Sequence, residues 1–302
     1  MRHFLDLKSF TKDTLEVMLY NGLKMKAELK EGKRGKKPLL DKSVAMIFEK
    51  PSTRTRVSFE VCISQLGGSS VGMSASDLHL KRGESSEDTA RVLSRYVDAI
   101  VIRCFKHETL LKFAENGNIP VINALTDQSH PCQLMADLIT MIEFHGSLEG
   151  QRVAWIGDGN NMANSWIEAA VQFNFQLRLA CPKGYEPNKN VLEWAHQNGG
   201  DIFLADSVFA AVDNAKTVVT DVWVSMGDDK KNALKEFKPF QVNSKVMQAA
   251  DKGAIFMHCL PAWRGMEVTA DVIDGPQSVV FEEAENRLHA QKAILSWCLS
   301  EI

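Results

Sequence analysis

The chain has 302 residues, with 35 Lys and Arg against 38 Asp and Glu and therefore a formal net charge of −3. At about 150 residues per domain, this length predicts two domains. The near-neutral balance argues against a protein that binds nucleic acid mainly through phosphates, which needs a basic surplus. No apolar run approaches the roughly 18 residues that cross a bilayer, and the first ten residues lack the uninterrupted apolar stretch of a signal peptide.

Six scattered cysteines form no CxxC pair, so zinc ribbons and thioredoxin-like redox motifs are not supported. In a chain of this size, reduced thiols and a cytoplasmic location are the better expectation.

Along the chain, short apolar runs alternate with amphipathic stretches after a first helix and a basic loop at 30–37. The predicted strands are 43–48, 70–73, 99–103, 121–123, 152–156, 176–180, 201–204, 217–220, 254–258 and 278–281. The predicted helices are 53–66, 86–96, 131–144, 161–173, 191–197, 206–214, 243–249 and a last one over about 285–300. Alternation of this kind predicts an α/β protein with two doubly wound parallel sheets. The short polar segment 145–150 predicts domains at 1–145 and 146–284, with helix 285–302 packing back on the first domain.

The first chemical signal follows the first strand. Ser52, Thr53, Arg54 and Thr55 open a helix directly after Pro51, and Ser52 or Thr53 is suited to be the N-cap. Unbonded N–H groups of a first helical turn, hydroxyls and a guanidinium form a phosphate site. The alternative is a capped helix with solvated arginines, and two hydroxyl–Arg repeats after a buried strand count against it.

A second signal is the segment that begins at His130. Pro131 predicts a helix start, so His130 lies just before the helix and Gln133 in its first turn. The positive end of the helix dipole predicts a neutral His130 that donates one N–H, and together with the Gln133 amide it suits a polarised carbonyl oxygen. A buried, hydrogen-bonded structural histidine is the alternative.

Further candidates lie near later strand ends. Gly157-Asp158-Gly159 begins like a dinucleotide fingerprint but has Met162 at the third glycine position, and Asn160 and Asn161 suit a polar small molecule or simple turn chemistry. Asp221 is suited to an ammonium group and Ser225 to a carboxylate, whereas Met226 also fits as a core residue. Cys259 fits three roles: a nucleophile, a metal ligand or a neighbour of substrate. A catalytic Cys–His dyad with His258 is disfavoured, because adjacent residues of a strand point to opposite faces of the sheet. Arg103 and Arg287 bind an anion or pair with a surface acid.

Four motifs occur in a fixed order: Ser-Thr-Arg-Thr at 52–55, His-Pro-Cys-Gln at 130–133, Asp-x-x-x-Ser-Met-Gly at 221–227 and His-Cys-Leu-Pro at 258–261. In this combination the chain resembles the aspartate/ornithine carbamoyltransferase family from about Phe4 to its end, and the loop at Asp221 resembles the ornithine-using members.

The resemblance implies transfer of the carbamoyl group of carbamoyl phosphate to the δ-amine of L-ornithine, giving citrulline and phosphate in arginine biosynthesis, with no cofactor and no metal. The residues that it implies for carbamoyl phosphate are Ser52, Thr53, Arg54, Thr55, His79, Arg103, His130, Gln133, Cys259, Leu260 and Arg287. Those that it implies for ornithine are Asn161, Asp221, Ser225 and Met226. Within the first set, Arg54, Arg103, His130, Gln133 and Cys259 are the predicted catalytic residues.

The resemblance also implies a cytoplasmic homotrimer with shared active sites, in which His79 reaches a neighbouring subunit, and a cis peptide bond before Pro261. Many members have Gln where this chain has His79. The alternatives are a transcarbamoylase with another amine acceptor, a NAD-dependent oxidoreductase that uses the glycine turn, and a phosphate-binding module without activity. Neither a nucleic-acid partner nor a membrane is expected.

Overall fold

The structure is a computed structural model that describes residues 1–33, 35–74, 83–224 and 234–299. It divides into two compact units, the first made of Met1–Ala136 and Asn286–Ile302 and the second of Asp137–Glu285. The division therefore falls inside two helices, α5 (Pro131–His145) and α12 (Val280–Leu299).

The first unit is built on a parallel sheet with the strand order β2-β1-β3-β4. Its strands are β1 (Ser43–Phe48), β2 (Ser69–Ser74), β3 (Ala99–Arg103) and β4 (Val121–Leu125). Its helices, besides the first part of α5, are α1 (Lys12–Lys30), α2 (Thr53–Gln65), α3 (Ser86–Leu93) and α4 (His107–Asn116). Alternate residues of β1 and β3, such as Ile47 and Ile100, pack with Phe113 of α4 in a buried core. Burial of this apolar surface holds the carboxyl ends of β1 and β3 side by side, where Phe48 pairs with Arg103.

The second unit has a parallel sheet with the order β7-β6-β5-β8-β9. Its strands are β5 (Arg152–Ile156), β6 (Gln176–Ala180), β7 (Ile202–Leu204), β8 (Thr217–Thr220) and β9 (Ile255–Met257). Its complete helices are α6 (Asn161–Phe173), α7 (Lys189–Gln197), α8 (Val208–Val212), α9 (Leu234–Phe237), α10 (Ser244–Ala249) and α11 (Ala270–Ile273), and a 3-10 helix spans Lys238–Phe240. One face of the sheet packs in a core with Val246 of α10 and Val272 of α11.

The fold class predicted from the sequence is confirmed, because both sheets are parallel and flanked by helices. Residues 286–299 of α12 pack in the first unit, where Asn286 accepts a hydrogen bond from Lys26 of α1 at 2.7 Å. Among the described residues, no helix is both long and apolar enough to cross a membrane.

One strand prediction was wrong, and four helical elements were not predicted. The apolar run 278–281 was assigned to a strand, but only Ser278 forms an isolated bridge, with Phe256, and Val280 already begins α12. The three apolar residues at 279–281 fit a buried strand and a helix start equally well, so periodicity does not separate these two structures. Helix α4 was missed, although its spacing is helical and buries Leu110 and Phe113. The short helices α9 and α11 and the 3-10 helix at Lys238–Phe240 were also missed.

Candidate active site

The turn between β1 and α2 has the features of an anion-binding site. Ser52 has extended backbone and caps α2, with its Oγ accepting the N–H of Thr55 at 3.3 Å. The backbone N–H groups of Thr53 and Arg54 have no acceptor within the described part of the chain. The first turn of a 13-residue helix therefore presents two N–H donors and the positive end of its dipole.

Two neighbouring arginines of this turn differ in their pairing. The Nε of Arg56 donates to Glu60 at 2.9 Å, one helical turn further along. The guanidinium of Arg54 is half-buried and has no hydrogen bond or ion pair with any described residue. A half-buried charge without a protein partner is costly unless a ligand supplies one. Arg54 is thus the arginine of the pair that is available to bind an anion.

Arg287 of α12 connects the anion turn to helix α5. Its Nη2 donates to Thr55 Oγ1 at 2.7 Å and its Nη1 donates to Gln133 Oε1 at 2.9 Å, and all three residues are buried. Since the Gln133 oxygen accepts from Arg287, the amide NH2 of Gln133 is the end that faces other acceptors. The arrangement fixes the orientation of three polar side chains from three helices.

His130 lies at the start of α5, as the proline at 131 predicted, and is buried. Burial, followed by the charges of Arg287 and Arg103, holds the pKa of His130 well below its usual range. The imidazole is therefore neutral at physiological pH, with burial as the largest cause. Arg103 ends β3 in the same unit, so the anion turn, Arg103 and His130 follow the carboxyl ends of β1, β3 and β4.

In the second unit, the glycine turn after β5 has a structural reason that does not involve a dinucleotide. Gly157 has a φ of +124°, which strains other residues. A Cβ at Gly159 would lie 2.3 Å from the backbone nitrogen of Pro187. The two glycines therefore allow a tight turn and a close approach of two backbone segments at the start of α6.

A chain of hydrogen bonds joins the ends of β5, β8 and β9. Asn160 caps α6 through its Oδ1, and its Nδ2 donates to Asp221 Oδ2 at 2.9 Å. Asp221 Oδ1 accepts from the N–H of Val222 at 2.8 Å and from the thiol of Cys259 at 3.3 Å. Sequence analysis placed Asp221 and Cys259 in the site but gave no such contact for Asn160, whose position directly before a helix was the available signal. Asn161, the predicted ligand, is the half-buried first residue of the same helix.

Buried groups behind Cys259 hold the segment in place. His258 Nδ1 accepts the N–H of Leu260 at 2.9 Å, so the ring proton is on Nε2, which lies 3.3 Å from Glu267 Oε1. The His258 N–H donates to Glu283 at 2.8 Å. Leu260 has a φ of +57°, and its bond to Pro261 is cis, as the resemblance implied. Sequence analysis missed Glu267 and Glu283, which are distant in sequence and have no motif signal.

The thiol of Cys259 is not an activated nucleophile. Burial, and then the charge of Asp221, raises the pKa of Cys259 well above its usual value, so the thiol stays protonated. The ligand atoms of Asp221, His258 and Cys259 lie within 4.8 Å of one another. Each of these groups already has a hydrogen-bond partner in the protein: Asp221 accepts from Cys259, and His258 accepts from Leu260. Their arrangement is that of a polar network, and a Cys–His dyad is not formed.

Three predicted site residues, His79, Ser225 and Met226, lie outside the described residues. Of the others, Ser52, Thr53, Arg54, Thr55, Arg103, His130, Gln133 and Arg287 belong to the first unit, and Asn161, Asp221, Cys259 and Leu260 belong to the second.

Both units match described protein families. Residues 2–143 match the carbamoyl-P binding domain of aspartate/ornithine carbamoyltransferase, and residues 149–298 match the Asp/Orn binding domain of the same enzymes. The chain belongs to the aspartate/ornithine carbamoyltransferase family and is a carbamoyltransferase.

The relatives and solved structures described next are all ornithine carbamoyltransferases. The chain is 52% identical over 300 residues to the ornithine carbamoyltransferase of Mesorhizobium japonicum, covering 99% of each protein. Among solved structures, it is similar to ornithine carbamoyltransferase from Pyrococcus furiosus, with 46% identity, a TM-score of 0.96 and coverage of 100% of this chain and 98% of that one. The anabolic ornithine carbamoyltransferase of Campylobacter jejuni is 43% identical, with a TM-score of 0.93 and 99% of each chain covered.

Proposed function

We propose that this chain transfers the carbamoyl group of carbamoyl phosphate to the δ-amine of L-ornithine, forming L-citrulline and phosphate. The observation that carries the proposal is the anion turn of the first unit, where half-buried Arg54 has no partner among the described residues while Arg287 is anchored on Thr55 and Gln133. The names of full-length relatives at about half identity support ornithine as the acceptor.

The phosphate of carbamoyl phosphate binds at the first turn of α2. The hydroxyls of Ser52, Thr53 and Thr55, the unbonded N–H groups and the Arg54 guanidinium are its donors, and Arg287 completes the set. Charge-assisted hydrogen bonds of this kind are the strong ones, and they also neutralise the charge that builds on the leaving phosphate.

The carbamoyl end faces His130, Gln133 and Arg103. Neutral His130 and the amide NH2 of Gln133 donate to the carbamoyl oxygen as it becomes negative, and Arg103 adds a positive charge. Because His130 is uncharged, it stabilises the developing oxyanion without first binding a proton.

Ornithine binds in the second unit through Asn161, Asp221, Ser225 and Met226. The carboxylate of Asp221 is already oriented by Asn160 and by the Cys259 thiol, which supports recognition of an ammonium group. Cys259 and Leu260 contact the reacting groups.

The neutral δ-amine attacks the carbamoyl carbon, a C–N bond forms, the amine loses a proton, and the C–O bond to phosphate breaks. Alignment of the two substrates and exclusion of water supply most of the rate, so no covalent intermediate is needed.

The proposed setting is anabolic: arginine biosynthesis in the cytoplasm by a homotrimer, with His79 of one subunit serving the site of its neighbour. The anabolic relative of known structure supports the direction. Neither a metal nor an organic cofactor is part of this reaction.

The test compares two arginines of one helical turn. Arg54→Met removes the partnerless guanidinium, and we expect citrulline synthesis to fall by about 100- to 1,000-fold, the usual cost of one preorganised donor. Arg56→Met is the matched control, because Arg56 is exposed and paired with Glu60. Citrulline formation is measured at saturating ornithine, with folding checked by thermal unfolding. A folded Arg54→Met enzyme with near-normal turnover would contradict the proposal.

A further inference from the structure

A second concave surface of the first unit lies at the other end of α2. The C-terminal halves of α1 and α2, loop residues 33 and 35–37, and one residue of α12 line a cleft of about 920 Å³. Clefts of about 300–1,000 Å³ are the usual size for sites that bind small organic molecules. Neither the carbamoyl phosphate residues nor the ornithine residues line it.

The lining of this cleft is strongly basic. It includes five lysines and a single acid, Glu28. Lys33 is neutralised by Glu31 at 2.5 Å, whereas Lys24, Lys36, Lys37 and Lys292 have no ion pair with any residue that the structure describes. Among the described lining residues, these four ammonium groups and one carboxylate leave a net charge of +3.

Lys292 is the residue that distinguishes the cleft from a solvated basic surface. Its side chain is 5% exposed, yet the structure gives its ammonium group neither a hydrogen bond nor an ion pair among the described residues. Burial lowers the pKa of Lys292, as expected for an ammonium group that lacks a counter-ion. Lys26, the other buried lysine of this region, is by contrast bonded to Asn286 at 2.7 Å.

Helix-end chemistry does not account for these lysines. Carbonyl groups at the end of α2 attract cations, but here they are used by the chain itself. The oxygens of Cys62, Ile63 and Ser64 accept the N–H groups of Leu66, Gly68 and Gly67 at 3.0, 2.9 and 3.0 Å. The carbonyl groups at the end of α2 therefore do not need the lysines of the cleft as hydrogen-bond donors.

We propose that this cleft binds a compact polyphosphate anion, at a site separate from the anion turn at Ser52–Thr55. Lys24, Lys36, Lys37 and Lys292 bind the phosphate chain, whose charge of about −3 to −4 matches the excess in the cleft. Met25, Leu29 and Leu66, which also line the cleft, contact an organic group such as a nucleoside when the phosphate chain carries one.

Titration calorimetry tests the proposal with tripolyphosphate and ATP as the probes. We expect two anion sites per subunit in the unmodified enzyme, one in the cleft and one at the anion turn. Lys292→Met should weaken the cleft site at least tenfold while leaving citrulline synthesis unchanged, and Lys245→Met, an exposed lysine of α10, should bind like the unmodified enzyme. Removing an unpaired buried charge should leave Tm unchanged or raise it, whereas a lysine kept for stability would lower it.

Arg54→Met separates this proposal from the proposed function. It should weaken the anion-turn site and lower the activity as given above but keep the cleft site, and Arg54→Met/Lys292→Met should bind both probes more weakly at both sites. Equal affinity for both probes assigns recognition to the phosphate chain, and tighter binding of ATP adds the organic contact. Unchanged binding in Lys292→Met, or binding of both probes no better than that of inorganic phosphate, would overturn the inference.

Discussion

Thr55→Val tests the buried connection between α2 and α12. Thr55 is 1% exposed and its Oγ1 accepts from Arg287 Nη2 at 2.7 Å, while Arg287 is 4% exposed. Valine has nearly the same shape as threonine, so the substitution removes the acceptor without creating a cavity.

The expected decrease in the free energy of unfolding follows from the Arg287 guanidinium, which stays buried in the variant. One N–H of a charged guanidinium is left without its acceptor, which costs about 2 kcal/mol in the free energy of unfolding. For units of about 150 residues, this corresponds to a decrease in Tm of about 4–8 °C. Because Arg287 also loses an anchor, the KM for carbamoyl phosphate should rise several-fold as well.

Thr53→Val is the matched control, two residues earlier on the same helix. Thr53 is exposed and its side chain has no partner among the described residues, so the free energy of unfolding should change by less than about 0.5 kcal/mol. Thr53→Val should still weaken carbamoyl phosphate binding. Thermal unfolding and steady-state kinetics measure both effects. Equal Tm values for the two variants would refute the role given to the Thr55–Arg287 hydrogen bond.

The remaining predictions concern both units. Asp221→Asn turns an acceptor into an NH2 group facing the Asn160 amide, and calorimetry should find that ornithine binding weakens more than carbamoyl phosphate binding; the opposite ranking would reject the assignment. Gly159→Ala places a methyl group 2.3 Å from backbone atoms and should lower Tm strongly, whereas Gly253→Ala, whose nearest contact is 3.4 Å away, should leave Tm almost unchanged. His130 stays neutral in the folded protein and takes up a proton near pH 6.5 when unfolded, so its contribution to stability is lost as pH falls below that value. Denaturant unfolding at pH 7.5 and 5.5 should therefore show a smaller pH dependence for His130→Asn than for the unmodified chain.

Much of the fold could be predicted from local pattern. Apolar runs such as that of β5 and helix starts such as Ser52 and Pro131 depend on neighbours within a few residues, and those elements were placed within two residues of their observed bounds. The wrong strand prediction at 278–281 also has a local cause, because three successive apolar residues give no periodicity that separates a strand from a helix.

Partners that are distant in sequence could not be predicted in this way. Arg287 was named as an anion ligand, but its bonds to Thr55 and Gln133 span 232 and 154 residues. The same holds for Glu267, which lies 3.3 Å from His258 Nε2, for Glu283, which accepts the backbone N–H of His258, and for Asn160, which donates to Asp221: none carries a local signal that assigns its partner.

The sequence by itself determined the parallel α/β class and the positions of the motifs, because hydrophobic periodicity and capping chemistry act over short stretches of chain. Only the tertiary structure decided which polar groups pair, that Arg56 but not Arg54 has an acidic partner among the described residues, and that Lys292 is buried beside a cleft. Those outcomes depend on desolvation and on distances between residues brought together by packing, and neither is encoded at any single position of the chain.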